Sequence, residues 1–215
     1  MRTAIKLSNC LTGLFLCAWC IGLQADGLPP LNKVHQLEPL DGNGIKFYQG
    51  FSELLTKVEP KADRRLASIY IHQGNDPLGL VGIYATSGGN VYYLLYVDVT
   101  HESKTTTMTL PAAFASKVND ELESILVLGT HYSTQSIPLI GCLGARDYMF
   151  ESWKTYYGSV IDCVAADSAL HLVRVANDLV DLANLKSAPE DERNKKMAEV
   201  LSELDAANSM ASKTQ

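Results

Sequence analysis

From residue 65 to residue 110 the chain is built of short runs rich in β-branched and aromatic residues, each closed by a polar or glycine-containing break. "RLASIYIHQ" (65–73), "LVGIYAT" (80–86) and "VYYLLYVDV" (91–99) read as strands, and "TTTMTL" (105–110) as a fourth, shorter one. "GNDPLG" separates the first two, and "SGGN" (87–90) predicts a tight hairpin turn between the next two. Strands this close in sequence form an antiparallel meander. In the third run Val91, Tyr93, Leu95, Val97 and Val99 share one face, and Tyr92, Leu94, Tyr96 and Asp98 share the other. Both faces are largely apolar, which predicts a central strand covered on both sides.

Elsewhere the apolar period is helical. Phe47, Phe51, Leu54, Leu55 and Val58 predict a short helix over about 46–58, ended by Pro60. Phe114, Val118, Leu122 and Ile125 make a stripe over 111–128, with Pro111 in the first turn and Gly129 as the stop. A third helix is expected over 167–185, burying Leu172, Val175, Ala176, Leu179 and Ala183. Ser187 and Glu190 have capping-box spacing before a last helix, highly charged, with a narrow stripe of Met197, Val200, Leu201 and Leu204.

"CLGARDYMFESWKTYYGSVIDC" (142–163) reads as two strands around a loop. If Cys142 opposes Cys163, paired residue numbers sum to 305. Tyr148 then faces Tyr157, Phe150 faces Thr155, and Glu151–Lys154 is a four-residue loop. Opposed residues stand about 4.5 Å apart at Cα in a non-hydrogen-bonded pair, at the lower edge of disulfide range. A Cys142–Cys163 bond is expected on this register. The fold class predicted is α+β: a mostly antiparallel sheet, meander plus C-terminal hairpin, packed against two main helices, with a peripheral C-terminal helix.

The N-terminus changes where this domain is expected to live. "MRTAIKLSN" carries Arg2 and Lys6 and no acid, and the apolar run Cys10–Leu23 is too short for a bilayer core. With a small residue at Ala25, residues 1–25 read as a cleaved secretory signal peptide. The "CAWC" pair, Cys17 and Cys20, therefore lies in a segment that is removed, and a redox reading is set aside. Neither cysteine has the small preceding residues of a lipoprotein, so no membrane anchor is expected after cleavage. The layout expected is a signal peptide (1–25), an extended proline-containing arm (26–44), one domain (45–207) and a disordered tail (208–215), in a periplasmic or secreted protein.

Removing residues 1–25 leaves 16 basic against 24 acidic residues, a net charge of −8. That argues against nucleic acid and anionic lipid and suits a basic protein partner. Five histidines, His35, His72, His101, His131 and His171, show no metal-ligand spacing, and no cofactor fingerprint is present. "DGNG" (41–44) lacks the rest of a calcium loop. No G-x-S-x-G elbow exists, and Ser87 and Ser159 stand where turns and strands use serine. Asp147 and Asp162 fall four pairs apart in the expected hairpin, about 14 Å, too far for glycosidase geometry.

The positive signal is aromatic: Tyr92, Tyr96, Tyr148 and Tyr157 sit on expected strands, where a phenol combines apolar area with a polar tip. These four are the candidate binding residues. The leading expectation is a non-catalytic exported protein that binds another protein, of inhibitor or immunity type. A small hydrolase with a site near Asp98, His101 and Glu102 is one alternative, and a small-ligand binder using the tyrosines is another.

Overall fold

A computed structural model of the chain describes residues 63–74, 76–100, 104–129, 144–153, 157–165 and 167–213. The chain divides into residues 1–33 and residues 34–215, and every described residue belongs to the second unit. The helix expected over 46–58, the signal peptide and the proline-containing arm lie outside the described residues.

Six strands form one antiparallel sheet: β1 (Arg64–Gln73), β2 (Asp76–Ala85), β3 (Tyr92–Asp98), β4 (Lys104–Leu110), β5 (Asp147–Ser152) and β6 (Tyr157–Ile161). Their order across the sheet is β4-β3-β2-β1-β5-β6. Three helices follow the meander and the hairpin: α1 (Ala112–Gly129), α2 (Asp167–Asn184) and α3 (Glu190–Ala211). This is the α+β arrangement that the hydrophobic pattern predicts.

The helices lie on one sheet face. Ile69, Ile71, Val81, Ile83, Leu94, Phe150 and Val160 meet Phe114, Val118, Leu122 and Ile125 of α1 and Leu172, Val175 and Leu179 of α2 in one core. α3 packs on both other helices. Its Val200, Leu204, Ala207 and Ala211 are fully buried, which a narrow stripe on a charged helix did not suggest. Leu204 reaches the point where α1, α2, β1 and β2 converge, and the void left there is about 10 Å³, too small to matter to packing. α3 is also tied to α2 by charge: Lys196 Nζ lies 3.1 Å from Asp178 Oδ1, and His171 Nδ1 meets Glu203 Oε2. Glu190 does open α3, but its N-cap is Pro189, with no side-chain capping bond, so the Ser187–Glu190 capping box does not form. The helix runs on through Ala211, past the point where its sequence pattern weakens.

The second sheet face is also buried. Tyr70, Leu80, Tyr84, Leu95, Val97 and Met149 form a separate cluster, each no more than 2% exposed. Tyr84 stacks on Tyr93 at 5.4 Å between ring centroids. Its ring leans over Gly82, where a Cβ would come within 2.8 Å of it, so only glycine leaves that ring its place. Burial on both faces explains why β3 is apolar at consecutive positions.

Two irregularities re-aim side chains. A register shift between Arg65 and Ala67 leaves Leu66 unpaired with β2 and turns Arg65 toward the second face. There Arg65 Nη1 donates to Tyr70 Oη (2.7 Å) and lies 3.5 Å from Glu151 Oε2, which accepts from Ser68 Oγ (2.9 Å) and Tyr70 Oη (3.2 Å). A second shift, between Ile71 and His72, leaves Leu78 as the extra residue on β2. It also lets Pro77 stand in a strand, where its missing N–H is tolerated. The β1–β2 connection is therefore shorter than "GNDPLG" implied, because Asp76 and Pro77 belong to the strand.

The C-terminal hairpin corrects the sequence reading. Asp147 pairs with Ile161, Tyr148 with Val160, Phe150 with Gly158 and Glu151 with Tyr157, so paired numbers sum to 308, not 305. Glu151 and Ser152 are strand residues rather than loop, because β1 pairs with them through Ser68 and Ala67 and buries both.

Candidate functional site

The three-residue difference in register decides what meets at one end of the sheet. The β5–β6 ladder extends one step past Asp147. Asp162 N–H donates to the Arg146 carbonyl (2.9 Å), and Arg146 N–H donates to Asp162 Oδ1 (3.1 Å). This clamps the backbone of Arg146. It also makes Asp147 and Asp162 near neighbours, which overturns the 14 Å separation expected from the other register.

A cleft of about 170 Å³ opens at this end, between the sheet and α2. Its floor is Ile71, Leu78, Gly79 and Val180. Its polar lining is Tyr96, Asp98, Thr100, Arg146 and Asn177, supplied by β3 and the turn after it, the lead into β5, and α2. The bulge at Leu78 opens the floor. A Cβ on Gly79 would stand 3.3 Å from Tyr96 Cε2 and 3.2 Å from the Val97 carbonyl, so the glycine lets the Tyr96 ring lie against the strand.

Each polar group is positioned. Asp98 Oδ1 accepts from the N–H (2.9 Å) and the hydroxyl (2.6 Å) of Thr100, closing the turn after β3. Tyr148 Oη donates to Asn177 Oδ1 at 3.2 Å. Burial pushes the Tyr96 phenol above its ordinary pKa, the Asp98 carboxylate adds to that, and the Arg146 guanidinium opposes both. Tyr96 is therefore a neutral donor at physiological pH. Among the described ion pairs Asp98 and Arg146 are not partners of each other, and the Arg146 guanidinium has no side-chain partner among the described residues.

At the same end of the sheet, on the second face, His72 Nδ1 lies 3.0 Å from the Gly74 carbonyl and 3.4 Å from Asp147 Oδ2. A carbonyl only accepts, so Nδ1 carries the proton. Burial raises the Asp147 pKa, His72 opposes the rise, and Asp162 adds to it.

The four candidate tyrosines have different positions. Tyr96 lines the cleft. Tyr148 is buried behind it and holds Asn177. Tyr92 is at the far end of β3, opposite Ala85 and Leu110, partly buried against the core. Tyr157 stands opposite Glu151 in the ladder. Tyr148 therefore does not face Tyr157. Arg146 and Asn177 were not among the candidates. Asn177 reads in sequence as an ordinary polar-face position of α2, and only the tertiary fold brings it to Tyr148.

Cys163 sits exposed in a single 3-10 turn (Asp162–Val164) after β6 rather than in the ladder, so it is not the hairpin pair that the expected register required. Cys142, His101 and Glu102 lie outside the described residues. Among the described residues no three His, Cys, Asp or Glu side chains converge as metal ligands, and no helix is long and apolar enough to cross a membrane.

No protein-family model matches the chain, and no curated protein and no solved structure matches it either.

Proposed function

We propose that this is an exported, non-catalytic binding protein whose recognition site is the strand-end cleft. The observation that carries the reading is the character of the cleft's polar groups: a guanidinium without a side-chain partner among the described residues, an amide fixed by a buried phenol, and a phenol kept protonated. These are recognition groups held on rigid elements, and a cleft of about 170 Å³ suits a small polar ligand. Export rests on residues 1–25, with their basic start and short apolar middle. The oxidising compartment this implies suits a Cys142–Cys163 disulfide. Gly144, at φ +83° and held by Gln73 Nε2 donating to its carbonyl at 2.8 Å, turns the chain three residues before β5 begins.

Native mass spectrometry of the protein purified from the exported fraction tests this. The reading expects a chain beginning at Asp26 with a small molecule retained, and loss of that molecule in Arg146→Ala. A chain retaining residues 1–25, or a ligand indifferent to Arg146, would contradict it.

A protein partner of inhibitor or immunity type is the second reading. It is favoured by Trp153, 46% exposed at the tip of the β5–β6 hairpin, with the Arg64 guanidinium 5.7 Å from its ring. Tryptophan and arginine together are typical anchors of protein interfaces. Affinity capture with the exported protein and its Trp153→Ala variant separates the two readings. A stoichiometric partner lost only in the Trp153 variant supports this second one.

A further inference from the structure

We propose that the segment before β1, residues 46–58, docks as an amphipathic helix on the second face of the sheet and keeps that face from water. This surface lies across the sheet from the strand-end cleft, so its docking does not depend on what the cleft holds.

The second face needs a cover. Tyr70, Leu80, Tyr84, Leu95, Val97 and Met149 are each no more than 2% exposed. All six stand on β1, β2, β3 or β5, and no residue of α1, α2 or α3 joins their cluster. A sheet face open to water does not bury a leucine or a tyrosine so completely, because side chains stand out from the pleat and neighbouring strands screen only their flanks. Ser68 and Glu151, on the same face, are buried as well. The cover therefore comes from chain outside the described elements.

The approach to β1 says which part. Asp63, the residue before β1, is tied to the second face: its Oδ2 accepts from Tyr93 Oη at 2.7 Å, and its Oδ1 accepts from the Ser87 N–H at 3.2 Å. Tyr93 itself packs against the second-face cluster. A chain that enters β1 through Asp63 starts from that side. Residues 34–62 also belong to the same unit of the chain as the sheet. Their sequence suits the role. Phe47, Phe51, Leu54, Leu55 and Val58 fall at i, i+4, i+7, i+8 and i+11, one apolar stripe of a helix, and Pro60 closes it before Asp63.

Dimensions agree. A helix over 46–58 is about 20 Å long. The cluster spans four neighbouring strands, β3-β2-β1-β5, about 14 Å across. The other stretches fit worse. Residues 101–103 and 154–156 are too short to cross four strands. Residues 130–143 run from α1, which packs on the first face, toward Arg146, which lines the cleft on that same side.

The test uses the full chain carrying Phe51→p-benzoylphenylalanine, a photo-crosslinker in place of one ring. The expected crosslinks are to the β2 and β3 peptides that bear Leu80, Tyr84 and Leu95. Crosslinks confined to α1, α2 or α3, or none within the chain, overturn the docking. Nitration by tetranitromethane is the second readout. Leu54→Asp should raise nitration of Tyr70 and Tyr84 roughly tenfold or more, as expected when a docked segment gives up one buried leucine. Tyr148, 1% exposed on the helix face, is the control and should stay protected. Tyr70 and Tyr84 as protected as in the native chain, or exposed by Leu139→Asp in place of Leu54→Asp, overturn the assignment. Where Leu54→Asp exposes Tyr148 equally the variant is unfolded, and the crosslink in the otherwise native chain decides.

Discussion

Tyr148 and Asn177 are joined by a hydrogen bond of 3.2 Å between a buried phenol on β5 and a side-chain amide on α2. The bond does two things. It satisfies a phenol with 1% exposure, and it sets which end of the amide faces the cleft. Tyr148→Phe removes the donor without removing the ring. It should cost about 1 kcal/mol of stability in urea denaturation and weaken ligand binding by freeing the amide to turn. Unchanged ligand affinity in a folded Tyr148→Phe variant would show that the amide's orientation does not matter to the site.

Leu204 of α3 is fully buried where α1, α2, β1 and β2 converge. Leu204→Ala should destabilise by about 2–5 kcal/mol, since the packed surroundings can collapse only partly into the space left. Lys195→Ala, on the exposed side of the same helix, should change stability by no more than about 0.5 kcal/mol. Equal, small effects at both positions would mean that α3 does not seal the core.

Asp147 makes a pH signature. Its folded pKa is raised, first by burial, against an ordinary value near 3.9. The folded state therefore holds this proton more tightly than the unfolded chain does. The contribution favours folding below the unfolded pKa and is lost as pH rises through the folded one. Asp147→Asn, neutral throughout, removes that loss. Its stability relative to the native chain should improve as pH rises above the ordinary carboxylate range. The opposite trend in paired denaturation curves would mean that the His72 contact outweighs burial.

Under the proposed export, Cys142 and Cys163 are expected to be oxidised to one disulfide. Alkylation under denaturing conditions without reductant should label neither, and reduction should expose two thiols. By loop closure the bond contributes roughly 3 kcal/mol. Two thiols that label freely before reduction would remove the disulfide from the account.

The strands of the meander are legible in the sequence because each run alternates on a pleated, buried surface, and β1 through β4 lie close to where the pattern puts them. The hairpin is legible as a hairpin but not in its register. Pairing the cysteines put Glu151 and Ser152 in a loop, where polar residues ordinarily belong. In the fold Arg65, Ser68 and Tyr70 draw Glu151 into the sheet, a long-range network that no local pattern announces. The same slip of three residues hid the approach of Asp147 to Asp162. Of the cleft, Tyr96 was visible as an aromatic on a strand. Arg146 and Asn177 were not, because their roles arise only where β5 and α2 meet. The Ser187–Glu190 spacing fits a capping box and yet none forms, since Pro189 already starts the helix with a suitable backbone angle.

Arg146 and Asn177 are proposed to act together on one molecule held in the strand-end cleft. The measurement is the nuclear magnetic resonance signal of the Asn177 side-chain NH₂ and the Arg146 guanidinium N–H during titration with the small molecule that the purified protein retains. Both signals should move together and saturate at one equivalent per chain, and the Asn177 signal should stay unmoved in Arg146→Ala, which loses the ligand. Ligand binding that shifts resonances elsewhere while these two stay unmoved would contradict it.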